Sequence, residues 1–177
     1  MMVKIKGSHW EEREITERIS DEELKNIAFI KYKGNGLIEA AKIILKEKLY
    51  ENENSYNYEL SKKIIEEDIN RDYEIIFLTH EKFGYLGVCI INEVYYKAFD
   101  KMRFTNKDTE TIVSKKMKFV SCYIKEKYRR LGLGCLLLYR IDKDNVFARE
   151  GISKSGSISF WKKNGINVFS FDTNTFI

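Results

Sequence analysis

Apolar residues change their spacing along this chain. After Gly34-Asn35-Gly36, the residues Leu37, Ala40, Ala41, Ile44, Leu45 and Leu49 recur at helical intervals and place one stripe against a core. A second, weaker helix is expected over Leu60–Asn70, behind the polar loop Asn52–Asn57. From Tyr73 the period shortens, so that Ile75–Leu78 and Leu86–Val94 read as strands joined by a turn near Lys82–Gly84. A polar connection at Lys101–Thr111 precedes another strand, Met117–Ile124. Leu133–Ile141 then favours helix, Val146–Ala148 a short strand, Ser157–Asn164 a helix and Val168–Phe171 a final strand. Helices alternating with strands in this way predict an α/β or α+β fold.

The stretch before Gly34 is less regular. Trp10 and the charged run Glu11–Arg18 lead to Ser20-Asp21-Glu22-Glu23, where Ser and Glu three apart fit a helix capping box. Ile27–Tyr32 reads as a first strand, with Val3–Lys6 as the alternative. No period of about 20–50 residues recurs and no Pro/Gly/Ser-rich linker divides the chain. One domain over residues 1–177 is therefore expected, with residues 1–35 as a variable N-terminal extension.

Composition narrows the class. A chain that is 44% hydrophobic and 33% charged can build a packed core, which excludes a disordered or fibrous protein. The net charge of +4 is too small to point to nucleic acid but suits an anionic ligand. The longest apolar run, Cys135–Tyr139, is far below the roughly 20 residues of a membrane-spanning helix, and Met1–Glu12 lacks a signal-peptide apolar region. A soluble, cytoplasmic protein without a membrane partner is expected. Cys89, Cys122 and Cys135 lie in apolar segments without metal-ligand spacing, so reduced core thiols are expected, and no metal.

The chemistry concentrates in Ile124-Lys125-Glu126-Lys127-Tyr128-Arg129-Arg130-Leu131-Gly132-Leu133-Gly134, between a strand and a helix. Gly132 and Gly134 let the backbone turn tightly and approach a ligand with exposed N–H groups. Arg129 and Arg130 add two permanent cations whose forks match phosphate oxygens, which makes pyrophosphate a suitable guest. The spacing fits neither a P-loop nor a dinucleotide fingerprint. A bare strand-to-helix turn would also use glycines, but it has no need of the two arginines.

Arg129-Arg130-Leu131-Gly132-Leu133-Gly134 resembles the Arg/Gln-x-x-Gly-x-Gly/Ala signature of the GNAT superfamily of N-acyltransferases. Phe119–Ile124 looks like the strand before that signature and Cys135–Ile141 like the helix after it. Phe160–Ile166 is similar to the family's later aromatic-x-x-x-Gly helix end, and Tyr73–Ile91 to its central hairpin. The resemblance covers roughly residues 73–171 and implies a mixed, mainly antiparallel central sheet flanked by helices.

It further implies acetyl-CoA as acyl donor and an amine as acceptor, and it allows a homodimer. In the family the strand before the glycine loop splays from its neighbour and bonds pantetheine and the thioester carbonyl through its backbone, at positions held here by Cys122 and Ile124. Cofactor contacts accordingly fall on Cys122, Ile124, Arg129, Arg130, Leu131, Gly132, Leu133 and Gly134. The amine attacks directly, so Cys122 is not needed as a nucleophile. The usual acid, a tyrosine, is replaced by Trp161 and the frequent asparagine by Lys154; Tyr123 and Tyr128 are the nearby substitutes for the acid, and Glu126 is the candidate base. His9 and His80 have no neighbours in sequence that mark them catalytic. A non-catalytic acyl-CoA-binding module is the alternative function; basic and tyrosine residues around Lys115–Arg130 raise RNA association, but no RNA-binding motif accompanies them.

Overall fold

The computed structural model describes residues 22–67, 69, 72–100, 111–141, 146–149, 158–170 and 175–176. Strands β1 (Ile27–Lys33), β2 (Tyr73–His80), β3 (Gly84–Asp100), β4 (Thr111–Ile124), β5 (Val146–Arg149), β6 (Asn167–Ser170) and β7 (Thr175–Phe176) form one sheet. Their order across it is their order along the chain. Neighbours from β1 to β4 are antiparallel, β4–β5 and β5–β6 are parallel, and β6–β7 is antiparallel. This is the mixed, mainly antiparallel sheet expected from the sequence.

Helices α1 (Leu37–Lys46) and α2 (Tyr56–Glu67) cover one face, and α3 (Leu133–Tyr139) and α4 (Ile158–Lys163) pack with the core of the other. Strand alternation sorts the side chains between the two. Ile75, Phe77, Val88 and Ile90 meet Leu37, Ala40, Ala41, Ile44, Leu60 and Ile64 on the first face. Ile76, Leu78, Cys89, Ile91 and Val120 meet Leu133, Leu137, Leu138 and Trp161 on the second. Each fully buried aliphatic side chain contributes about 1.5–3 kcal/mol, so both layers are needed to hold the sheet.

Element boundaries shift from the periodicity for identifiable reasons. The α1 stripe runs to Leu49, yet the helix stops at Lys46. Lys48 turns left-handed at φ 53, and Leu49 N–H donates to Ile44 O at 3.0 Å, so the chain reverses while Leu49 still enters the core. Helix α2 begins at Tyr56 rather than Leu60, because Glu59 N–H finds Ser55 O at 3.0 Å and opens the first turn inside the stretch read as loop. Ser20 and Asp21 of the expected capping box lie outside the described residues, and the helix there is a single 3-10 turn, Glu23–Asn26, whose N-cap is Glu22 without a side-chain cap bond. Ile27–Lys33, within the expected extension, is the sheet's β1. Val3–Lys6, Trp10, His9 and Lys154 lie outside the described residues, as does most of the connection read at Lys101–Thr111.

Strand β3 carries an extra residue. Leu78 pairs with Gly87 but Thr79 with Tyr85, so Leu86 bulges and turns its side chain into the α3 face. One residue on, a β-carbon at Gly87 would stand 2.6 Å from Tyr123 O and 2.5 Å from Ile124 Cδ1. Glycine is required there by the close approach of β4, the structural role that a strand glycine often has.

Candidate functional site

Strand β4 keeps β3 along its length, from Asp100↔Thr111 to Gly87↔Ile124. Its other neighbour, β5, is registered against Lys118, Phe119 and Val120 alone. From Ser121 to Ile124 that second edge has no ladder partner among the described residues. Its direction follows from one bond: Lys125 N–H donates to Leu86 O at 2.9 Å, toward β3. Amide groups alternate sides along an extended strand, so those of Tyr123 and Ser121 also face β3. The amides of Cys122 and Ile124 face the open edge.

A 3-10 turn, Glu126–Tyr128, follows β4, and then two residues on either side of Leu131 take a left-handed backbone. Arg130 has φ 67 and Gly132 φ 77, and Gly132 is the residue from which α3 starts. The loop thus turns back beside the open edge of β4. A strand paired with its parallel neighbour only as far as Val120 among the described residues, followed by a glycine turn into a helix, is consistent with the arrangement that the sequence motif implied. The fold is GNAT-like.

No protein-family profile matches the sequence, and no curated protein does. Solved structures do. The chain is similar to a predicted acetyltransferase from Clostridium acetobutylicum solved with acetyl-CoA, at 12% identity and a TM-score of 0.48, over 79% of this chain and 89% of that one. It is also similar to an aminoglycoside 6'-N-acetyltransferase from Acinetobacter baumannii, at 9% identity and a TM-score of 0.49, over 79% and 90%. A third likeness is to the xEco2 acetyltransferase domain bound to a CoA conjugate, at 8% identity and a TM-score of 0.47, over 80% and 89%.

The sequence-derived residues divide by what their side chains do. Arg129 folds back: its Nε donates to Ile124 O at 3.0 Å, and its Cζ lies 5.3 Å from the centre of the Tyr123 ring. That guanidinium ties off the end of β4. Arg130 is exposed on the left-handed turn. Leu131 is half-buried and Leu133 buried, so their side chains belong to the core and their amides to the loop. Gly134 has a packing role, since a β-carbon there would meet Phe160 Cζ at 3.1 Å. With α3 only seven residues long, what the turn could offer an anion is its amides and Arg130 more than a helix dipole.

Cys122 lies directly opposite Cys89 on β3. Part of its surface stays accessible, but burial of the sulfur, with a smaller push from Cys135, raises its pKa to about 12. Burial, then Cys122 and Glu74, hold Cys89 well above its ordinary value. Neither is a thiolate near neutral pH, which removes both as nucleophiles.

Tyr123 is half-buried on the α1/α2 face. Burial raises its pKa, Arg129 works against this by charge and hydrogen bond, and Glu126 and Glu51 add to the rise. The phenol stays protonated at neutral pH and has a proton to give. Glu126 is exposed in the turn, close enough for its charge to act on Tyr123. Burial, followed by Tyr32, Glu47 and Glu39, likewise raises Tyr85.

Trp161 is 4% exposed and belongs to the core. Its helix ends where Gly165, at φ 74, lets Ile166 N–H reach Trp161 O and Gly165 N–H reach Lys162 O, both at 3.0 Å. The aromatic-x-x-x-Gly pattern here is a helix stop fused to a core anchor. His80 is also buried, its Nδ1 accepting the Lys82 N–H at 3.1 Å.

Two polar residues escaped the sequence reading. Asn57, on α2, accepts a hydrogen bond at Oδ1 from Ser121 Oγ at 2.9 Å and donates from Nδ2 to Leu49 O at 3.2 Å. Both are 4% exposed. The available signal was Ser121 itself, a hydroxyl inside the apolar run Phe119–Ile124. Among the described residues, no group of three or more His, Cys, Asp or Glu could hold a metal ion, and no helix is long and apolar enough to cross a membrane.

Proposed function

We propose that the chain is an acyl-CoA-dependent N-acyltransferase that passes acetyl from acetyl-CoA to a primary amine. The observation that carries this reading is the open edge of β4, where the amides of Cys122 and Ile124 point away from β3 immediately before the Arg130–Gly132 turn. A thioester needs such an edge: pantetheine can add to the strand as a ladder partner would, while the turn's amides and Arg130 receive the pyrophosphate.

The reaction asks little more of the protein. The amine nitrogen forms a bond to the carbonyl carbon, the carbon–sulfur bond breaks, and the thiolate takes a proton. A fixed N–H near the carbonyl oxygen gains strength as negative charge develops there, so the open edge stabilises the transition state more than the ground state. Tyr123 is the acid that the residues present support, and Glu126 the base, accepting the ammonium proton directly or through water. Leu131, Leu133 and Gly134 shape the turn, and Arg129 fixes the strand end beneath it.

Calorimetry with acetyl-CoA tests the site and CoA release across a panel of amines tests the activity. No heat at millimolar ligand with folded protein would sink the reading. A second reading, a non-catalytic acyl-CoA-binding module, is favoured by the burial of Trp161 in place of the family's tyrosine acid. Binding without CoA release on any amine, in a protein whose Tyr123→Phe variant binds equally well, would favour it.

A further inference from the structure

We propose that Asn57 is a positioning residue for the acyl donor: through Ser121 it fixes the segment of β4 whose open edge receives the thioester, a role that rests on the acyltransferase reading. The geometry is specific to one point on the strand. The β4–β5 ladder ends at Val120, and Ser121, the next residue, is the one whose hydroxyl donates to Asn57 Oδ1 at 2.9 Å. Beyond this point the strand has one ladder neighbour among the described residues, and a buried side-chain bond holds it from the α1/α2 side of the sheet.

Asn57 is itself held from two other directions. Its Nδ2 donates to Leu49 O at 3.2 Å, and its own carbonyl accepts from Ser61 Oγ at 2.6 Å. With Oδ1 accepting and Nδ2 donating, the carboxamide can take no other orientation without breaking both bonds. Neither Asp nor Leu reproduces it, since one lacks the donor and the other lacks both groups.

The far end of the same segment has a parallel tether. Lys125 Nζ approaches Glu47 Oε2 at 3.3 Å, and Glu47 caps the end of α1. Residues 47–57 thus hold β4 at both ends of the stretch that has lost β5. The chain that joins α1 to α2 sets the position of the Cys122 and Ile124 amides, although it donates no bond to either.

The experiment compares Asn57→Ala, Ser121→Ala and Ser121→Thr with the wild type by affinity for acetyl-CoA and for CoA, and by amide hydrogen exchange. The role predicts that the alanine variants lose at least fivefold in acetyl-CoA affinity relative to CoA, because the thioester, not the pyrophosphate, sits on the loosened edge. Exchange at the Tyr123 and Lys125 amides should rise at least tenfold while that at Phe119, inside the two-sided ladder, changes less than twofold. Ser121→Thr, which keeps the hydroxyl, should restore both. An unchanged affinity ratio in alanine variants of a protein that binds both ligands overturns the Asn57 role alone, as does exchange that rises equally at Phe119. If Asn57→Ala fails to fold, Ser121→Ala decides by the same two readouts. A wild type that binds neither ligand overturns the acyltransferase reading and this role with it.

Discussion

Gly134 faces the ring of Phe160: a β-carbon at this position would lie 3.1 Å from Cζ and 3.3 Å from Cε2. The second glycine of the signature is therefore a packing requirement between α3 and α4. Alanine inside α3 gains about 1 kcal/mol of helix propensity, and displacing the ring by a few tenths of an ångström costs a similar amount. Gly134→Ala should leave stability within about 1 kcal/mol of wild type, whereas Gly134→Val should lose more than about 2 kcal/mol in urea denaturation. A Gly134→Val protein as stable as wild type would show that the ring moves aside freely.

Arg130 separates stability from binding, because its left-handed backbone favours glycine while its charge favours the ligand. Relief of the φ 67 conformation in Arg130→Gly is offset by the added entropy of the unfolded chain, so stability should change by less than about 0.5 kcal/mol. Acetyl-CoA affinity should fall by about 1–3 kcal/mol, the scale of a charged hydrogen bond. Equal affinity in calorimetry would remove Arg130 from the pyrophosphate site.

Cys122 gives a pH dependence of known sign. Its thiol has an ordinary value of 9.0, raised to about 12 by burial, so the folded protein holds the proton more tightly than the unfolded chain. The stability that this contributes is fully present below pH 9.0 and is lost as pH rises toward about 12. Thiol labelling of folded protein at pH 8 should spare Cys122, and Cys122→Ser should keep turnover within about twofold, as expected for a group without a nucleophilic role. Rapid labelling of Cys122 at pH 8, or a loss of activity beyond tenfold in Cys122→Ser, would contradict this.

Trp161 should report on stability first. Trp161→Ala should cost about 3–5 kcal/mol, the range for emptying a buried aromatic site, and Trp161→Phe less than half of that. Measured well below the melting temperature, Trp161→Phe should retain most of its turnover. A fall of several orders of magnitude with cofactor binding intact would place the indole at the reacting atoms.

Much of the frame was legible because it depends on local spacing. The α1 stripe, the β2–β3 hairpin and the glycine turn are written in residues within a few positions of one another. What was hidden depends on register. That the described β4–β5 ladder ends at the Val120↔Ala148 pair is a property of two strands together, and the Asn57–Ser121 bond joins residues 64 apart. The packing role of Gly134 was hidden because its neighbour Phe160 lies elsewhere in the sequence. Lys48 hid the end of α1, since a lysine in a left-handed turn carries none of the signal that glycine does.

The seven strands lie across the sheet in the order in which the ribosome makes them. No strand has to be threaded between two that have already paired, so each new edge is ready when the next strand emerges. The antiparallel part, β1 to β4, can form while the later segments are still being synthesised, with α1 and α2 already available to cover one face. The parallel β5 follows α3 in the chain, so the β4–β5 ladder can form only after both the strand that borders it and the glycine turn have been made.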